Sequence, residues 1–200
     1  MINIVFEKDA YPYLKNNFYC IKDGREWDLT EYDEETWPLG YAVFCSASSK
    51  STVYAESMTL LTYMKFDDVK EWATTFNTVA KTADRGADYE AFKKRKAEKL
   101  LDCVEKKFPG LRKAIKTYYT ATPLSYRDYI GNDDGSMYGI AKDYSNPLKT
   151  FLSPRTKIPN LYLTGQNLNL HGILGATMSG LVTSVAFLGN EDIIEKIRNA

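Results

Sequence analysis

The chain has 200 residues, of which 44% are hydrophobic, so it can bury a core of ordinary size in one domain or in one domain plus an appendage. Lys plus Arg and Asp plus Glu number 26 each, and a formal net charge of zero gives no electrostatic reason to expect nucleic-acid binding. Three widely spaced cysteines match neither a disulfide framework nor a zinc-binding pattern, which favours a reduced intracellular compartment.

Targeting and membrane signals are weak in this sequence. The first residues lack the cationic region followed by a long apolar one that marks a signal peptide. No stretch approaches the roughly 18 apolar residues that a membrane-spanning helix needs. We therefore expect a cytoplasmic protein and leave a peripheral membrane contact open.

Strand patterns and turn signals dominate the first third of the chain. Residues 2–6 alternate apolar and polar side chains, which is typical of a half-buried strand. Residues 17–22 predict a second strand, and Asp23-Gly24 is a strong turn signal before 25–29, so these segments together predict a hairpin. The remaining predictions in this region are a loop at 30–38, a strand at 41–46, a Ser-rich loop at 46–52 and a strand at 54–64.

Helical patterns follow. Residues 66–75 predict a helix that opens on two acidic residues, which are favourable in a first turn. Residues 87–107 carry a broad apolar face and predict a long helix that Pro109-Gly110 ends. The basic cluster at 93–96 has glutamates beside it and favours a solvated helix face. The remaining predictions are a short turn at 111–114, a strand at 115–122, one helical turn at 125–130, and loops at 132–136 and 142–160. This order indicates an α+β fold, with an antiparallel or mixed sheet covered by helices.

The segment 160–189 has the most distinctive pattern. The apolar run 161–163, closed by Gly165, predicts a short buried strand. After a polar loop, Gly172 and Gly175 bracket the start of a helix, and small residues there allow close approach of a backbone or a flat ligand. Its apolar residues at helical spacing are Met178, Leu181, Val182, Val185 and Leu188. The first amides of a helix lack internal partners and carry partial positive charge, so this segment predicts a site for an electron-rich group.

The block 160–180, NLYLTGQNLNLHGILGATMSG, resembles the C-terminal flavin-binding segment of the phytoene desaturase, carotenoid isomerase and retinol saturase group of FAD-dependent oxidoreductases. Gln166 stands where many members carry an acidic residue. The resemblance extends over about residues 40–189. Its further motifs, in the order that the family shows, are Asp88-Tyr89-Glu90, Phe108-Pro109-Gly110, Thr122-Pro123, Tyr138-Gly139 and Pro154-Arg155-Thr156.

The resemblance implies FAD as the cofactor, with a substrate-binding domain at 1–156 and a strand-loop-helix at 157–200 that returns to a Rossmann-type FAD domain. No G-x-G-x-x-G turn occurs in these 200 residues, so we expect the C-terminal fragment of a longer flavoenzyme. Alone, it would be inactive and would not retain FAD. The expected flavin-contacting residues are Gly165, Gln166, Asn167, His171, Gly172, Ile173, Leu174, Gly175 and Ala176.

The implied substrate is an elongated apolar isoprenoid or polyene, carotenoid-like or retinol-like, that is desaturated, saturated or isomerised. Tyr118, Tyr119 and Tyr126 are candidates to line its cavity, and the alternative is that they are core or interface aromatics.

Two further questions stay open at this point. His171 is either a flavin-edge residue or a polar loop residue, and as the only histidine it predicts no metal site. A non-catalytic module that binds an apolar ligand or a protein through its sheet is the alternative function. For the isolated chain we expect residues 172–199 either to dock on its own sheet or to pair in a homodimer.

Overall fold

A computed structural model describes residues 1–46, 48, 51–189 and 193–200. Positions 47, 49 and 50 of the predicted Ser-rich loop, and positions 190–192 of the predicted C-terminal segment, lie outside the described residues. The chain divides into two compact units, Met1–Gly135 and Ser136–Ala200. The functional division into 1–156 and 157–200 stays a prediction.

The first unit is built on a five-stranded sheet in the order β2-β3-β4-β1-β5, and all neighbouring pairs are antiparallel. Its strands are β1 (Ile2–Phe6), β2 (Phe18–Ile21), β3 (Gly40–Phe44), β4 (Ser57–Thr62) and β5 (Ile115–Thr120). In β1, Ile2, Ile4 and Phe6 are buried, whereas Asn3 and Val5 are exposed, because successive side chains of a strand point to opposite faces. The α+β class with an antiparallel sheet is therefore confirmed.

Helix α1 (Gly86–Lys107) supplies the other half of the main core. The buried residues of its second half recur at helical spacing, and they are Ala97, Leu100, Leu101 and Val104. They belong to one cluster with Ile4 of β1 and Met58 of β4. Burying each large apolar side chain contributes about 1.5–3 kcal/mol, so this face of α1 is a main source of the unit's stability.

A second, smaller core lies under residues 66–72. The predicted helix at 66–75 is a 3₁₀ helix, Phe66–Trp72, and it is shorter than expected. Phe66, Val69 and Trp72 recur every third residue, which is the period of a 3₁₀ helix, and all three pack into one cluster with Tyr89 and Leu124. The segment is therefore a 3₁₀ helix because its core residues are three positions apart.

Two short helices frame β5, as the sequence predicts. They are α2 (Leu111–Ala114) and α3 (Pro123–Ile130), and α3 is longer than the single turn expected.

Helix α3 carries a buried ion cluster centred on Asp128, whose side chain is fully buried. Its carboxylate accepts hydrogen bonds from Asn77 N–H at 2.9 Å, from Arg127 Nε at 2.8 Å and from Arg85. Burial raises the pKa of Asp128, but these hydrogen bonds together outweigh burial and hold its pKa below the usual range. The ionised form is therefore the one that this cluster stabilises.

The predicted hairpin between 17–22 and 25–29 is wrong. The turn itself exists, because Asp23 and Gly24 both have positive φ. However, β2 pairs with β3, and residues 25–31 form successive turns joined by backbone hydrogen bonds such as Asp28 N–H to Arg25 O. Trp27 is 96% exposed, so the 25–29 segment offers no buried face, whereas β3 buries Val43 fully.

The basic cluster at 93–96 is not uniformly solvated either. Lys96 is buried, and its ammonium lies 2.7 Å from Glu34 Oε2, 3.7 Å from Asp68 Oδ2 and 4.6 Å from the Trp37 ring. Position 96 follows buried Phe92 by one helical turn, so its side chain falls on the inner face of α1. A buried ammonium needs such partners, since an unpaired buried charge is costly.

The second unit contains α4 (Gly172–Leu188) and α5 (Ile193–Arg198), preceded by an ordered loop with a 3₁₀ turn at Pro147–Thr150. The predicted buried strand at 161–163 is wrong: only an isolated bridge joins Tyr162 to Arg155, and Leu161 and Leu163 are 45% and 43% exposed. A strand needs a neighbour along its length, and a single bridge partner does not supply one. Within the described part of the chain, no helix is both long and apolar enough to cross a membrane.

Candidate functional site

The nine residues predicted to contact a flavin lie in two short runs of the second unit, 165–167 and 171–176. Gly165, Gln166 and Asn167 lie in the loop that precedes α4, and His171 is the N-cap of that helix. The remaining five residues, 172–176, are the first residues of α4. We call residues 165–171 the pre-helix loop.

The start of α4 leaves its first backbone amides available. His171 is the N-cap, and among the described residues it makes no side-chain capping hydrogen bond. No acidic residue lies in the first turn to offset the positive end of the helix dipole. A helix of 17 residues with such a start favours a bound oxygen that carries negative charge.

Helix α4 buries its small residues and exposes its large apolar ones, whereas a surface helix of a globular protein usually buries the large apolar ones. Its buried residues are small, Gly175 and Ser179, whereas Ile173 is 90% exposed and Leu174 is 73% exposed. The predicted apolar stripe (Met178, Leu181, Val182, Val185 and Leu188) is likewise partly or largely exposed. Exposed amides therefore lie beside exposed apolar side chains, an arrangement that suits a flat ligand with an apolar body and a polar edge.

Gly175 packs against the pre-helix loop itself. An ideal Cβ there would lie 2.3 Å from the Leu170 carbonyl carbon and oxygen, which is far inside van der Waals contact. Of the two close approaches that the small residues here allow, a backbone or a flat ligand, the structure shows the first at Gly175. The atoms that a side chain at position 175 would displace belong to the loop.

A second close contact fixes the other side of the loop. A Cβ at Gly139 would lie 2.4 Å from the Gln166 carbonyl oxygen, and Ile140 N–H donates to Asn167 Oδ1 at 3.2 Å. The rings of Tyr138 and His171 are 4.4 Å apart. The Tyr138-Gly139 motif thus has a structural role, which is to support the residues predicted to contact a flavin.

Asn169 provides a test of whether this loop fits a bound group. Its side-chain oxygen is buried and, among the described residues, has no hydrogen-bond partner. A buried polar atom without a partner costs about 1–3 kcal/mol. A donor supplied at this loop would remove that cost after a small movement, and FAD carries such donors in its ribityl hydroxyls and ring N–H. The residues present therefore fit the cofactor that the resemblance implies.

Arg155, of the Pro154-Arg155-Thr156 motif, lies at the other end of α4. Its guanidinium donates to the Ala186 carbonyl and lies 5.5 Å from the centre of the Tyr162 ring. Tyr162 in turn packs edge-on against Phe187, with ring centres 5.3 Å apart. A cation at a helix C-terminus is favourable, so this motif holds the end of α4 in place.

The three candidate substrate tyrosines lie in the first unit. Tyr118 and Tyr119 are successive residues of β5, so they point to opposite faces, but both line a cavity of about 530 Å³ at the sheet edge, with Lys93 and Lys94 of α1. Tyr126 lies on α3, where its hydroxyl is 3.7 Å from Met1 Sδ. The structure therefore brings two of the three together.

Tyr118 differs from Tyr119 in its chemistry. Its hydroxyl donates to Glu98 Oε1 at 3.2 Å, whereas Tyr119 is 65% exposed. Burial first, and then the hydrogen bond to the Glu98 carboxylate, raises the pKa of Tyr118. Tyr118 is therefore a neutral hydrogen-bond donor, already engaged within the protein.

The function of the pre-helix loop and the start of α4 can be compared with that of known proteins of similar sequence. No family model matches the chain. The all-trans-retinol 13,14-reductase of Rattus norvegicus is 31% identical over 135 residues, which cover 66% of this chain and 21% of that protein. The Homo sapiens protein of the same name is 34% identical over 121 residues (59% and 20%), and that of Danio rerio is 27% identical over 193 residues (92% and 30%).

Over much of its length the chain is similar to all-trans-retinol 13,14-reductases, and this similarity supports the retinol saturase-like family. The resemblance read from its motifs is thereby confirmed. This retinol saturase-like chain spans less than a third of the length of the curated relatives that it matches.

Sequence reasoning missed several residues of the site in this retinol saturase-like chain. Asn169 was not selected. Ser179 and Thr183 are among the small residues expected to allow close approach of a backbone, but their hydrogen bonds to the backbone at 163–165 were not predicted. A signal for the last two existed, because positions 175, 179 and 183 share one helix face and all carry small residues. The apolar spacing of α4 drew attention to the opposite side of the helix.

Proposed function

We propose that this chain supplies the substrate-binding part and the flavin-edge segment of an FAD-dependent oxidoreductase that acts on a retinoid. The observation that carries this proposal is the start of α4, where amides that no side chain caps within the described residues lie beside exposed Ile173 and Leu174, in a segment with the family's motif. The relatives' name, all-trans-retinol 13,14-reductase, supports saturation of a retinol-like polyene as the reaction.

The chain's own contribution is positioning and electrostatics. FAD, when bound, supplies the hydride or electron transfer. The amides at 172–175 would face the pyrimidine edge of the flavin and favour negative charge there, an effect of about 0.3–1 kcal/mol at an exposed helix end and up to about 2 kcal/mol when partly buried. The exposed side chains of Ile173, Leu174 and Met178 would exclude water from the ring.

The substrate-binding role rests on the first unit. Its sheet has an open face with exposed apolar side chains, among them Val5, Tyr19 and Tyr119. Tyr118 and Tyr119 border the cavity beside β5. An apolar polyene would be recognised mainly by burial of its surface, with a tyrosine hydroxyl as a polar contact.

The alternative is a non-catalytic module that uses the same open sheet face for an apolar ligand or a protein partner. The reading frame upstream of these residues distinguishes the two. A strand–G-x-G-x-x-G–helix unit there favours the oxidoreductase, since that unit holds the FAD pyrophosphate.

Flavin retention tests the proposal. The purified 200-residue chain should be colourless, and titrated FAD should show no saturable change in absorbance below about millimolar, because the pyrophosphate site is not among these residues. The reading frame extended upstream should give a yellow protein that reduces all-trans-retinol. Stoichiometric flavin in the short chain would refute the division of the site, and a flavin-free extended protein would refute the cofactor.

A further inference from the structure

Two hydroxyl groups on α4 hold the start of the pre-helix loop. Ser179 is 1% exposed, and its Oγ accepts a hydrogen bond from Gly165 N–H at 2.9 Å while donating to Ala176 O at 2.9 Å. The Thr183 Oγ1 lies 2.8 Å from both Leu163 O and Ser179 O, so its one proton is shared between them. We call Ser179 and Thr183 the hydroxyl clamp.

The clamp differs from the other hydroxyls of the same helix. Within the part of the chain that the structure describes, Thr177 and Ser184 bond to carbonyls one turn back in α4, at Ile173 and Gly180, and to nothing else. Such bonds are common in helices and reach nothing outside them. The Ser179 and Thr183 hydroxyls make such bonds too, but they also reach residues 163–165, which are far from them in sequence.

The clamp fixes one end of a segment whose other end is already fixed. The pre-helix loop begins at Gly165, whose N–H is bound by Ser179 Oγ. It ends at His171, the N-cap of α4. Gly175 keeps Leu170 in contact between these points. A loop tied at both ends has little freedom left, and pre-ordering of this kind strengthens binding by lowering the entropy cost.

We propose that Ser179 is the positioning residue of the flavin-contacting segment. It holds the pre-helix loop against α4, so that the loop and the first amides of the helix face one ligand together. The proposal deepens the proposed function and rests on it only for the identity of that ligand, which is the flavin of FAD.

Amide hydrogen exchange on the complete 200-residue chain, resolved by NMR, tests the clamp without any cofactor. In Ser179→Ala, exchange at Gly165 and through the pre-helix loop should accelerate about tenfold, which corresponds to about 1.4 kcal/mol. Ser179→Thr keeps the hydroxyl and should restore slow exchange. Ser184→Ala removes a hydroxyl that serves only the helix and should leave loop exchange within about twofold of the parent.

Two results would overturn the proposal. Equal exchange rates of the loop amides in Ser179→Ala and Ser184→Ala would show that the hydroxyl clamp does not stabilise the pre-helix loop. Uniform acceleration across the second unit, without rescue by Ser179→Thr, would make Ser179 a general packing residue. Because no flavin is present, either result leaves the proposed function standing, and failure of the extended protein to bind flavin leaves the clamp standing.

Discussion

Replacing Gly175 with alanine should destabilise the second unit, although alanine is the better helix former. The ideal Cβ would lie 2.3 Å from the Leu170 carbonyl and 2.6 Å from Leu170 Cβ. Carbon atoms in ordinary contact are about 3.5–4.0 Å apart, so the helix or the loop has to move by about 1 Å. Overpacking of this kind costs about 1–3 kcal/mol, whereas alanine gains about 1 kcal/mol over glycine in a helix.

Gly180 offers a matched control on the same helix. An ideal Cβ at Gly180 meets no atom within 4 Å, so Gly180→Ala should gain the helix preference of alanine without a clash. We expect it to stabilise α4 by about 0.5–1 kcal/mol. The two substitutions add the same methyl group to the same helix, yet their effects on stability should have opposite signs.

Hydrogen exchange of α4 peptides, read by mass spectrometry, measures this difference in the correct unit. Tryptophan fluorescence does not, because all three tryptophans lie in the first unit. Exchange should accelerate in Gly175→Ala, most strongly at 166–171, and slow in Gly180→Ala. If both variants slow exchange alike, the contact between Gly175 and Leu170 does not exist in solution.

Two further predictions concern the stability and the assembly of the chain. Asp128→Asn should lower the free energy of unfolding by about 3–5 kcal/mol in urea titrations followed by tryptophan fluorescence, since it leaves Arg85 and Arg127 buried without their counter-ion. Asp67 is exposed, so Asp67→Asn should cost only about 0–1 kcal/mol. The pKa of Asp128 is depressed in the folded state, so its contribution is complete above the ordinary value of about 3.9 and is lost as pH falls below it; a difference between Asp128→Asn and the parent that persists unchanged at pH 2 would contradict this. The exposed apolar face of α4 should either pair in a concentration-dependent dimer, seen in light scattering, or dock on the chain's own sheet, seen as a monomer whose 172–199 segment resists protease. A strict monomer whose 172–199 segment is rapidly cleaved would refute both.

Local patterns predicted most elements of this chain. The alternation at 2–6, the long apolar face at 87–107 and the helical spacing after Gly172 each correspond to an element of the expected type. They are reliable because a strand that buries one face must alternate, and a helix that buries one stripe must repeat every three or four residues. The family motifs also placed the candidate flavin segment on a loop and a helix start.

The wrong predictions share one cause. The sequence of a segment does not specify which other segment it pairs with or packs against. Asp23-Gly24 does form a turn, but β2 pairs with β3 because only that strand offers a buried apolar face. The run at 161–163 has strand composition, yet it makes only one bridge and stays half exposed. Lys96 belongs to a basic cluster, but its position along α1 directs it inward to Glu34.

The sequence alone determined that a helix follows Gly172 after a glycine-containing loop, in a segment that resembles the flavin-binding segment of a known family. Only the tertiary structure decided which face of that helix packs inward. Its inner face consists of Gly175, Ser179 and Thr183, because small residues let the backbone at 163–170 approach closely. The Ser179 hydroxyl accepts a hydrogen bond from Gly165 N–H, and the Thr183 hydroxyl donates one to Leu163 O. The large apolar residues that dominate the sequence pattern are left on the outside, since periodicity specifies that a helix has two faces but not what each one meets.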